Sequence, residues 1–267
     1  MSEFQRFGQG TYQLRGEQCA ESVATAVDAG YDAIDTAQGY QNEALVREGI
    51  ERAGADPNDL FVATKLQTDN LGYEDAVATA HESRARLGVD SIDLLYVHWP
   101  INTYDVEETT RALNELVADG VVDRVGLSNF RVDQLDAARD ALDVPLFAHQ
   151  VECHPLLQQD ELREYAVEHD HWLVAYCPIA RNDVADVDVV RDVADKHDAT
   201  PAQVSIAWLL AKDNVAAIPK ATSEEHIRDN LAGAALELDA EDVARIDDID
   251  EERRLVDFEE APWNQVD

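Results

Sequence analysis

Four side chains that could together deliver a proton to a carbonyl group stand at the ends of consecutive strand-like segments. The stretch DTAQGYQNE carries Asp35 and Tyr40 directly after the apolar pair Ala33–Ile34. Lys65 follows the run LFVAT, and His98 follows the run LLYV. Catalytic residues of barrel proteins lie at the carboxyl ends of strands, and adjacent strands are about 4.8 Å apart. We therefore expect the four side chains to meet over one corner of a barrel.

The chemistry of these groups is complementary. A phenol has a pKa near 10, and we expect contact with the Lys65 cation to lower the pKa of Tyr40 and make it a usable proton donor. Asp35 can keep Lys65 charged, and His98 can orient a carbonyl oxygen or relay a proton. Singly, each residue has an ordinary structural interpretation as a cap, a packing residue or a core histidine. Lys65 is the hardest to explain in that way, because the chain has only four lysines beside seventeen arginines.

Eight short apolar runs recur along the chain, each followed by a longer segment of helical character. Such alternation implies parallel strands joined by crossovers, and eight units suit a closed barrel. We predict an α/β fold, a (β/α)8 TIM barrel formed by residues 1–267 as a single domain, with extra helices late in the chain and an irregular C-terminal tail. The runs lie near Gly10–Tyr12, Ala33–Asp35, Leu60–Thr64, Ile92–His98, Val125–Leu127, Phe147–Val151, Leu173–Tyr176 and Ala216–Pro219. An open doubly wound sheet is the alternative, but GQGTYQLRG lacks its glycine-rich phosphate fingerprint.

Several helix starts can be recognised from local sequence. Thr200, Pro201 and Gln203 have the spacing of a capping box with proline at the first helical position. Leu238–Val243 has the pattern of a hydrophobic staple around an aspartate cap. Two helices are predicted before the last strand, near Asp186–Lys196 and Pro201–Leu210. Two more follow that strand, from Ser223 and from Ala240.

The charge balance is extreme, with 56 acidic residues against 21 basic ones and a formal net charge of −35. The acids are scattered through periodic segments and 45% of the residues are hydrophobic, which favours a folded chain over a disordered one. Self-repulsion of this size opposes compaction, and molar salt reduces the Debye length to about 3 Å. The composition resembles that of cytoplasmic proteins from extreme halophiles that accumulate salt. Nucleic-acid binding is disfavoured, because a phosphate backbone would be repelled.

The chain contains no apolar run long enough to span a bilayer, and its first residues lack a signal-peptide core. We therefore predict a cytoplasmic protein with no membrane partner. Three cysteines without metal-type spacing predict neither a disulfide framework nor a metal site. Cys153 in particular is expected to be a buried apolar residue, and His154 is expected to lead into a loop.

The sequence resembles the aldo-keto reductases. The resemblance covers about Gly8 to Asn230 and is carried, in family order, by GYDAIDTAQGYQNEALV, LFVATKL, SIDLLYVHWP, GLSNF, HQVECHP, AYCPIA, TPAQVSIAWLL and IPKATSEEHIRDN. It implies that Asp35, Tyr40, Lys65 and His98 form a catalytic tetrad. It also implies reduction of an aldehyde or ketone to an alcohol by hydride transfer from NADPH, with the tyrosine as general acid.

The resemblance implies a cofactor site on the later strand ends. Ser128, Asn129 and Gln150 would bind the carboxamide, and Tyr176 would stack on the nicotinamide. The IPKATSEEH segment would hold the adenosine phosphate. The full expected set is Gly10, Thr11, Asp35, Ser128, Asn129, Gln150, Tyr176, Cys177, Pro178, Lys220, Ala221, Thr222, His226, Asp229 and Asn230.

Some positions depart from the family pattern. Cys177 and Ala221 stand where relatives commonly have serine, and His149 stands where they have asparagine. His226 replaces an arginine that stacks on adenine and contacts the 2′-phosphate, and a neutral histidine lacks that cationic fork. We therefore expect NADP(H) to be preferred by a reduced margin, with NAD(H) also accepted.

The expected substrate walls are Tyr12, His98, Trp99 and Trp263, and such aromatic walls suit small apolar or aromatic carbonyls. Two other functions stay open. One is a cofactor-binding regulatory subunit, as in some family members. The other is a Schiff-base lyase using Lys65, although Asp35 should keep that lysine charged. We expect a monomer.

Relatives usually begin with a hairpin that plugs the bottom of the barrel, and there is hardly room for one before Gly8. We expect this difference to affect stability and not chemistry.

Overall fold

The strands follow one another around a single parallel sheet in chain order, as expected for a barrel built from repeated strand–helix units. The structure is a computed structural model and describes residues 4–265. Its strands are β1 (Gln9–Gly10), β2 (Ala33–Asp35), β3 (Phe61–Leu66), β4 (Leu94–Val97), β5 (Val125–Ser128), β6 (Leu146–Glu152), β7 (Trp172–Tyr176) and β8 (Val215–Ala217). The sheet closes between β1 and β8, where the Gly8 amide donates to the Ala217 carbonyl (3.1 Å) and the Gly10 amide to the Pro219 carbonyl (2.9 Å). The predicted barrel is confirmed.

The helices alternate with the strands, and the long β7–β8 connection holds two of them, as predicted. Their bounds are α1 (Gly16–Ala29), α2 (Glu43–Arg52), α3 (Tyr73–Leu87), α4 (Val106–Ala118), α5 (Val132–Ala141), α6 (Asp160–Glu168), α7 (Asp188–His197), α8 (Pro201–Leu210), α9 (Glu224–Ala234) and α10 (Ala240–Asp247). The capping box of α8 is present, because Thr200 Oγ1 accepts from the Gln203 amide (3.2 Å) and Gln203 Oε1 accepts from the Thr200 amide (2.9 Å). Asp239 caps α10, as its staple pattern predicted.

Only β2 has the predicted bounds; the other seven strands differ from them at one or both ends, and the differences in β1 and β3 bear on the site. Tyr12 lies outside β1, because the chain turns at Thr11, whose carbonyl accepts from the Leu14 amide (3.1 Å). Conversely, β3 runs past Thr64 and includes Lys65, which lies opposite Tyr96 of β4 in the sheet register. The lysine is therefore held by the barrel itself and not by a loop.

Strand alternation divides the side chains into two sets. Alternate residues such as Ala33, Ala63, Leu94 and Ala148 form a small apolar cluster inside the barrel. The intervening residues belong to two larger clusters that pack under the helices. Because successive side chains of a strand point to opposite faces, the interior parity continues to polar residues at the carboxyl end: Asp35, Lys65, Ser128, Gln150 and Tyr176.

An aromatic cluster closes the bottom of the barrel. The Phe4 ring lies 5.3 Å from Phe61, 5.1 Å from Phe147 and 4.9 Å from Trp172, measured between ring centroids. The contacts with Phe61 and Phe147 are edge-to-face, an arrangement that adds to the burial energy of the rings. Phe4 thus covers this end of the barrel with a single side chain, where hardly any room for a hairpin was expected.

Candidate active site

The Asp35–Glu43 segment leaves β2 and forms a single 3₁₀ turn, Gln38–Tyr40, before α2 begins. Buried amides fix this turn. The Gln38 side chain donates to α3 and accepts from the Gln67 amide (2.9 Å). Asn42 Oδ1 accepts from Thr36 Oγ1 (2.6 Å), and its amide group donates to two carbonyls of the β1–α1 connection. Tyr40 is therefore presented by a rigid loop.

Asp35 and Lys65 form a buried ion pair. The Lys65 side chain is only 1% exposed, and its ammonium donates to Asp35 Oδ1 and to the Thr36 carbonyl (2.8 Å). The other carboxylate oxygen of Asp35 accepts from Gln150 Nε2 (2.8 Å). Burial lowers the pKa of Lys65, and the Asp35 charge opposes that change. The carboxylate can hold the lysine as a cation, since buried charges persist only when paired and hydrogen-bonded.

Tyr40 and His98 lie against this pair. The Lys65 Nζ atom is 5.2 Å from the centroid of the Tyr40 ring, and the Tyr40 and His98 rings are 5.6 Å apart at an interplanar angle of 76°. The structure thus brings the four predicted residues together. Burial first, and then the nearby Lys65 charge, lowers the pKa of His98 to about 3.

The expected lowering of the Tyr40 pKa is wrong for this arrangement. Burial, followed by the Asp35 carboxylate, raises the pKa of Tyr40 well above its usual value. The reason is that Asp35 compensates the Lys65 charge, so the phenol experiences desolvation without a strong cationic field. Tyr40 consequently keeps its proton throughout the neutral range.

A chain of hydrogen bonds links the expected nicotinamide site to the tetrad. The Tyr176 hydroxyl donates to Asn129 Oδ1 (2.9 Å), and the Asn129 amide donates to Ser128 Oγ (2.9 Å). Ser128 Oγ donates to the carbonyl of Gln150 (2.9 Å), whose side chain holds Asp35. Asn129 also donates to the His98 carbonyl (3.0 Å). These residues form one connected polar surface at the top of β4 to β7.

The start of the barrel lies beside the segment after β8. A Cβ atom at Gly10 would meet the Ile218 carbonyl oxygen at 2.8 Å, so only glycine fits there. The Thr11 amide and hydroxyl both donate to the Asp35 carbonyl (3.0 and 2.9 Å). Gln9, which sequence reasoning missed, donates from its buried amide to the Ala221 carbonyl (2.9 Å).

Among the residues expected at the phosphate end, Lys220, Thr222 and His226 are exposed, whereas Ala221 and Asn230 are buried. Asp229 faces α8 instead, because its two oxygens accept from Thr200 Oγ1 (3.0 Å) and Gln203 Nε2 (2.8 Å).

The turn after β7 carries two further expected residues. Cys177 is half-buried with a left-handed φ of 50°, and burial raises the pKa of its thiol. The Pro178 carbonyl accepts from Ser205 Oγ (2.6 Å). Cys153, by contrast, is fully buried, as predicted.

The residues expected to wall the substrate form two aromatic groups, one of which contacts the tetrad at Tyr40. Tyr12 is 51% exposed, and its ring lies 5.3 Å from Tyr40. The Trp99 and Trp263 rings are 5.6 Å apart, and Phe258 lies 4.9 Å from Trp99. Sequence reasoning missed Phe258, since the irregular tail gives no periodic signal that would assign a face to it.

Arg254 was also missed, and its guanidinium lies 4.0 Å from the centroid of the Trp263 ring. A cleft of about 1000 Å³ runs between the tail and the segments after β5 and β6, and Asn129 and Trp263 line its edge.

Residues 4–265 contain no group of three or more histidine, cysteine, aspartate or glutamate side chains able to hold a metal ion. Within the same range no helix is long and apolar enough to cross a bilayer.

Known proteins resemble this chain over nearly its whole length. A model of the Aldo/keto reductase family matches residues 5–251. The methylglyoxal reductase DkgB of Escherichia coli O157:H7 is 36% identical over 253 residues, which span 94% of each chain. A solved aldo-keto reductase from a Medee basin deep-sea metagenome library has a TM-score of 0.91 at 32% identity, covering 96% of this chain and 94% of that one. A mutant of Gox0644 in complex with NADPH has a TM-score of 0.87 at 32% identity, covering 98% and 94% respectively.

The match in sequence and the match in fold therefore agree with the clustering of Asp35, Tyr40, Lys65 and His98 at the carboxyl end of the barrel. The chain belongs to the aldo/keto reductase family and is an oxidoreductase that reduces an aldehyde or ketone group.

Proposed function

We propose that the chain reduces a small aldehyde or ketone with NADPH, and that Tyr40 donates the proton to the carbonyl oxygen. The observation that carries this assignment is the buried Asp35–Lys65 pair with Tyr40 and His98 packed against it. A relative of 36% identity is named a methylglyoxal reductase, so methylglyoxal is the first substrate to test.

Each member of the tetrad has a role that follows from its protonation state. Tyr40 is a protonated phenol and can give its proton only as negative charge develops on the substrate oxygen. His98 is neutral at physiological pH, since its pKa is about 3, and so it can orient the carbonyl oxygen by a hydrogen bond. Lys65 packs against the Tyr40 ring and holds it in place, while Asp35 holds the lysine.

The residues at the β8 end fit an anionic cofactor. Three of the four lysines pair with carboxylates: Lys65, Lys196 and Lys212. Lys220 makes no ion pair with any residue in the 4–265 range, although the chain carries a net charge of −35. An unpaired cation is unexpected in so acidic a protein unless it serves an anion, and the 2′-phosphate of NADPH is such a group. The bound cofactor supplies the hydride.

The remaining cofactor contacts follow from position. Tyr176 would stack on the nicotinamide ring, and Ser128, Asn129 and Gln150 would hold its carboxamide. Gly10, Thr11, Cys177 and Pro178 would complete the site between these groups and Lys220. Ala221, Thr222, His226 and Asn230 would surround the adenosine end. We leave Asp229 out of this set, because its carboxylate already binds the start of α8.

We also propose that NADH is accepted, because the exposed His226 offers no fixed cation to the 2′-phosphate. The test is to measure kcat/KM with both cofactors at one salt concentration, in the wild type and in Lys220→Gly. The variant should lose mainly its NADPH activity. An equal loss with both cofactors, or a wild type that favours NADH about tenfold or about 1.4 kcal/mol, would contradict this assignment.

A Schiff-base lyase is a poorer fit to Lys65, because such a nucleophile must be neutral and this amine donates to Asp35 and to the Thr36 carbonyl. Borohydride trapping with a carbonyl substrate separates the two chemistries.

We further propose that the protein is a single-domain monomer in the cytoplasm of a salt-accumulating organism, with no nucleic-acid or membrane partner.

A further inference from the structure

Glu152, at the carboxyl end of β6, is a buried carboxylate with three hydrogen-bond donors. It is 1% exposed. Its Oε1 accepts from the Leu255 amide (2.6 Å), and its Oε2 accepts from the Val256 amide (2.8 Å). His154 Nε2 lies 3.0 Å from Oε1 and donates, because an ionised carboxylate can only accept. A charge this deeply buried persists only when its oxygens are satisfied.

Two of these donors come from a segment about a hundred residues further along the chain. We call residues 248–265 the C-terminal tail. Between residues 253 and 256 the tail is attached to Glu152 at the end of β6 and to the loop after it, where the Leu156 carbonyl accepts from the Arg253 amide (2.6 Å). A second attachment lies further on, where Arg131 Nη1 donates to the Pro262 carbonyl (2.8 Å).

Aromatic residues beside these attachments form the substrate wall. Phe258 lies between the two attachments and Trp263 directly follows the second. Both rings contact Trp99, at 4.9 Å and 5.6 Å, and Trp99 directly follows His98 of the tetrad. The position of the wall therefore depends on contacts between the tail backbone and two side chains outside the tetrad, those of Glu152 and Arg131.

We propose that Glu152 is a positioning residue that determines substrate specificity by fixing the tail against the barrel. This inference rests on the proposed carbonyl reduction. Glu152 itself does not reach the reacting atoms. By holding Leu255 and Val256 it sets where Phe258 and Trp263 stand, and thus which carbonyl compounds are bound tightly. Compounds large enough to touch the wall should depend on Glu152, and small ones should not.

The test compares Glu152→Gln with the wild type on two substrates, methylglyoxal and benzaldehyde, in concentrated KCl. Glutamine has the same shape, but its NH2 group would face one of the two backbone N–H donors, so at least one of the hydrogen bonds to Leu255 and Val256 is lost. We expect KM for benzaldehyde to rise about tenfold while kcat/KM for methylglyoxal stays within about twofold. Glu161→Gln, the same change at an exposed carboxylate of α6, is the matched control. It should leave both substrates unaffected.

A second readout does not require turnover. Trypsin can cut after Arg253 and Arg254 once the tail detaches, and mass spectrometry identifies the site. Cleavage there should be faster in Glu152→Gln than in the control. Arg131→Met removes the second attachment without touching the buried carboxylate, and it should shift benzaldehyde KM in the same direction. This variant keeps the proposal testable if Glu152→Gln fails to fold.

The outcomes are distinguishable. Equal losses with both substrates, or faster tail cleavage with unchanged benzaldehyde KM, would overturn the specificity role. Unchanged cleavage in both Glu152→Gln and Arg131→Met would overturn the attachment, even if the wild type reduces neither compound. A wild type without carbonyl reductase activity counts against the proposed function instead.

The dissociation constant for NADPH must also be measured, because Glu152 lies opposite Tyr176 in the sheet register. A loss explained by weaker NADPH binding would contradict the proposal.

Discussion

Asp35 and Lys65 are charged residues in a part of the barrel where water is excluded, and such a pair persists only when it is hydrogen-bonded as well as paired. The Thr36 carbonyl accepts from Lys65 and the Gln150 amide donates to Asp35, in addition to the contact between the two charges. The residue types and their spacing were sufficient to predict the pair, because an unexplained lysine stands out where lysine is scarce. Gln150 could be predicted as a neighbour only through the family resemblance.

The pKa of Tyr40 could not be predicted from residue types. Counting neighbours suggests that a lysine lowers the pKa of a phenol. In the folded chain burial is the larger effect, and Asp35 offsets the lysine charge. Depth of burial depends on all the strands that surround the site, and the sequence does not reveal it.

Buried histidines should make stability depend on pH. Burial first, and then the charge of His171, lowers the pKa of His149 to about 3. In the unfolded chain its pKa is about 6.5. As pH falls below that value, the unfolded state takes up a proton that the folded state refuses, so stability is lost on acidification. The expected cost is about 2 kcal/mol between pH 6.5 and pH 5, at about 1.4 kcal/mol per pH unit.

His149→Gln should reduce the slope of unfolding free energy against pH, because glutamine does not titrate. The free energy of unfolding should be measured by denaturant titration at about pH 7.5, about pH 6.5 and about pH 5 in constant KCl. His81→Gln, a change at an exposed residue of α3, is the control and should keep the wild-type slope. Identical slopes in all three proteins would contradict the expectation that His149 takes up a proton when the chain unfolds.

At the level of elements, the eight short apolar runs, each followed by a helical segment, were sufficient to predict the barrel. All eight strands were expected, and the interior parity of β2, β3 and β6 brought Asp35, Lys65 and Gln150 to one face. The errors lie at strand ends. Tyr12 was predicted inside β1, although the chain turns at Thr11, and β3 is longer than expected. The tail attachments and Phe258 were not predicted, since they depend on contacts across a hundred residues and leave no local pattern.

The capping box of α8 is a local signal whose energetic contribution can be measured. Thr200→Ala removes the oxygen that accepts from the Gln203 amide and the hydroxyl that donates to Asp229. We expect a loss of about 1 kcal/mol in unfolding free energy, seen as a fall of roughly 3 °C in Tm. Thr200→Ser keeps the hydroxyl and should lose much less. Equal destabilisation by both changes would mean that packing of the threonine methyl is responsible.

At the level of the whole molecule, the net charge of −35 is the dominant feature. The ion pairs seen in the structure are mostly exposed, such as Arg47–Glu51 and Arg228–Glu224, and pairs of this kind contribute little to stability. Repulsion among the unpaired carboxylates should therefore outweigh them in dilute buffer. The composition indicates this balance without any knowledge of the fold.

We expect stability to rise with salt. Tm should increase by several degrees between 0.1 and 3 M KCl, because the Debye length falls from about 10 Å to below about 3 Å. Activity lost on dialysis to low ionic strength should return when KCl is restored. A sucrose solution of matched osmolarity is the control. Sucrose does not screen charges, so a rise in Tm that only KCl produces comes from screening and not from exclusion of solute from the protein surface. A Tm that stays flat across this salt range would contradict the proposed adaptation to a salt-rich cytoplasm.

The central claim is that Tyr40 is the proton donor, and Tyr40→Phe tests it most directly. The variant removes one hydroxyl and leaves the ring against Lys65 and His98. Steady-state reduction of methylglyoxal by NADPH should be followed in concentrated KCl, with the NADPH dissociation constant measured in parallel. Tyr73→Phe, which removes a phenol hydroxyl on α3 away from the site, is the control and should retain wild-type turnover. We expect a loss of at least about 100-fold in kcat with NADPH affinity within a few-fold of wild type. Retention of more than about a tenth of the turnover, equivalent to less than about 1.4 kcal/mol of barrier, would show that Tyr40 is not the acid.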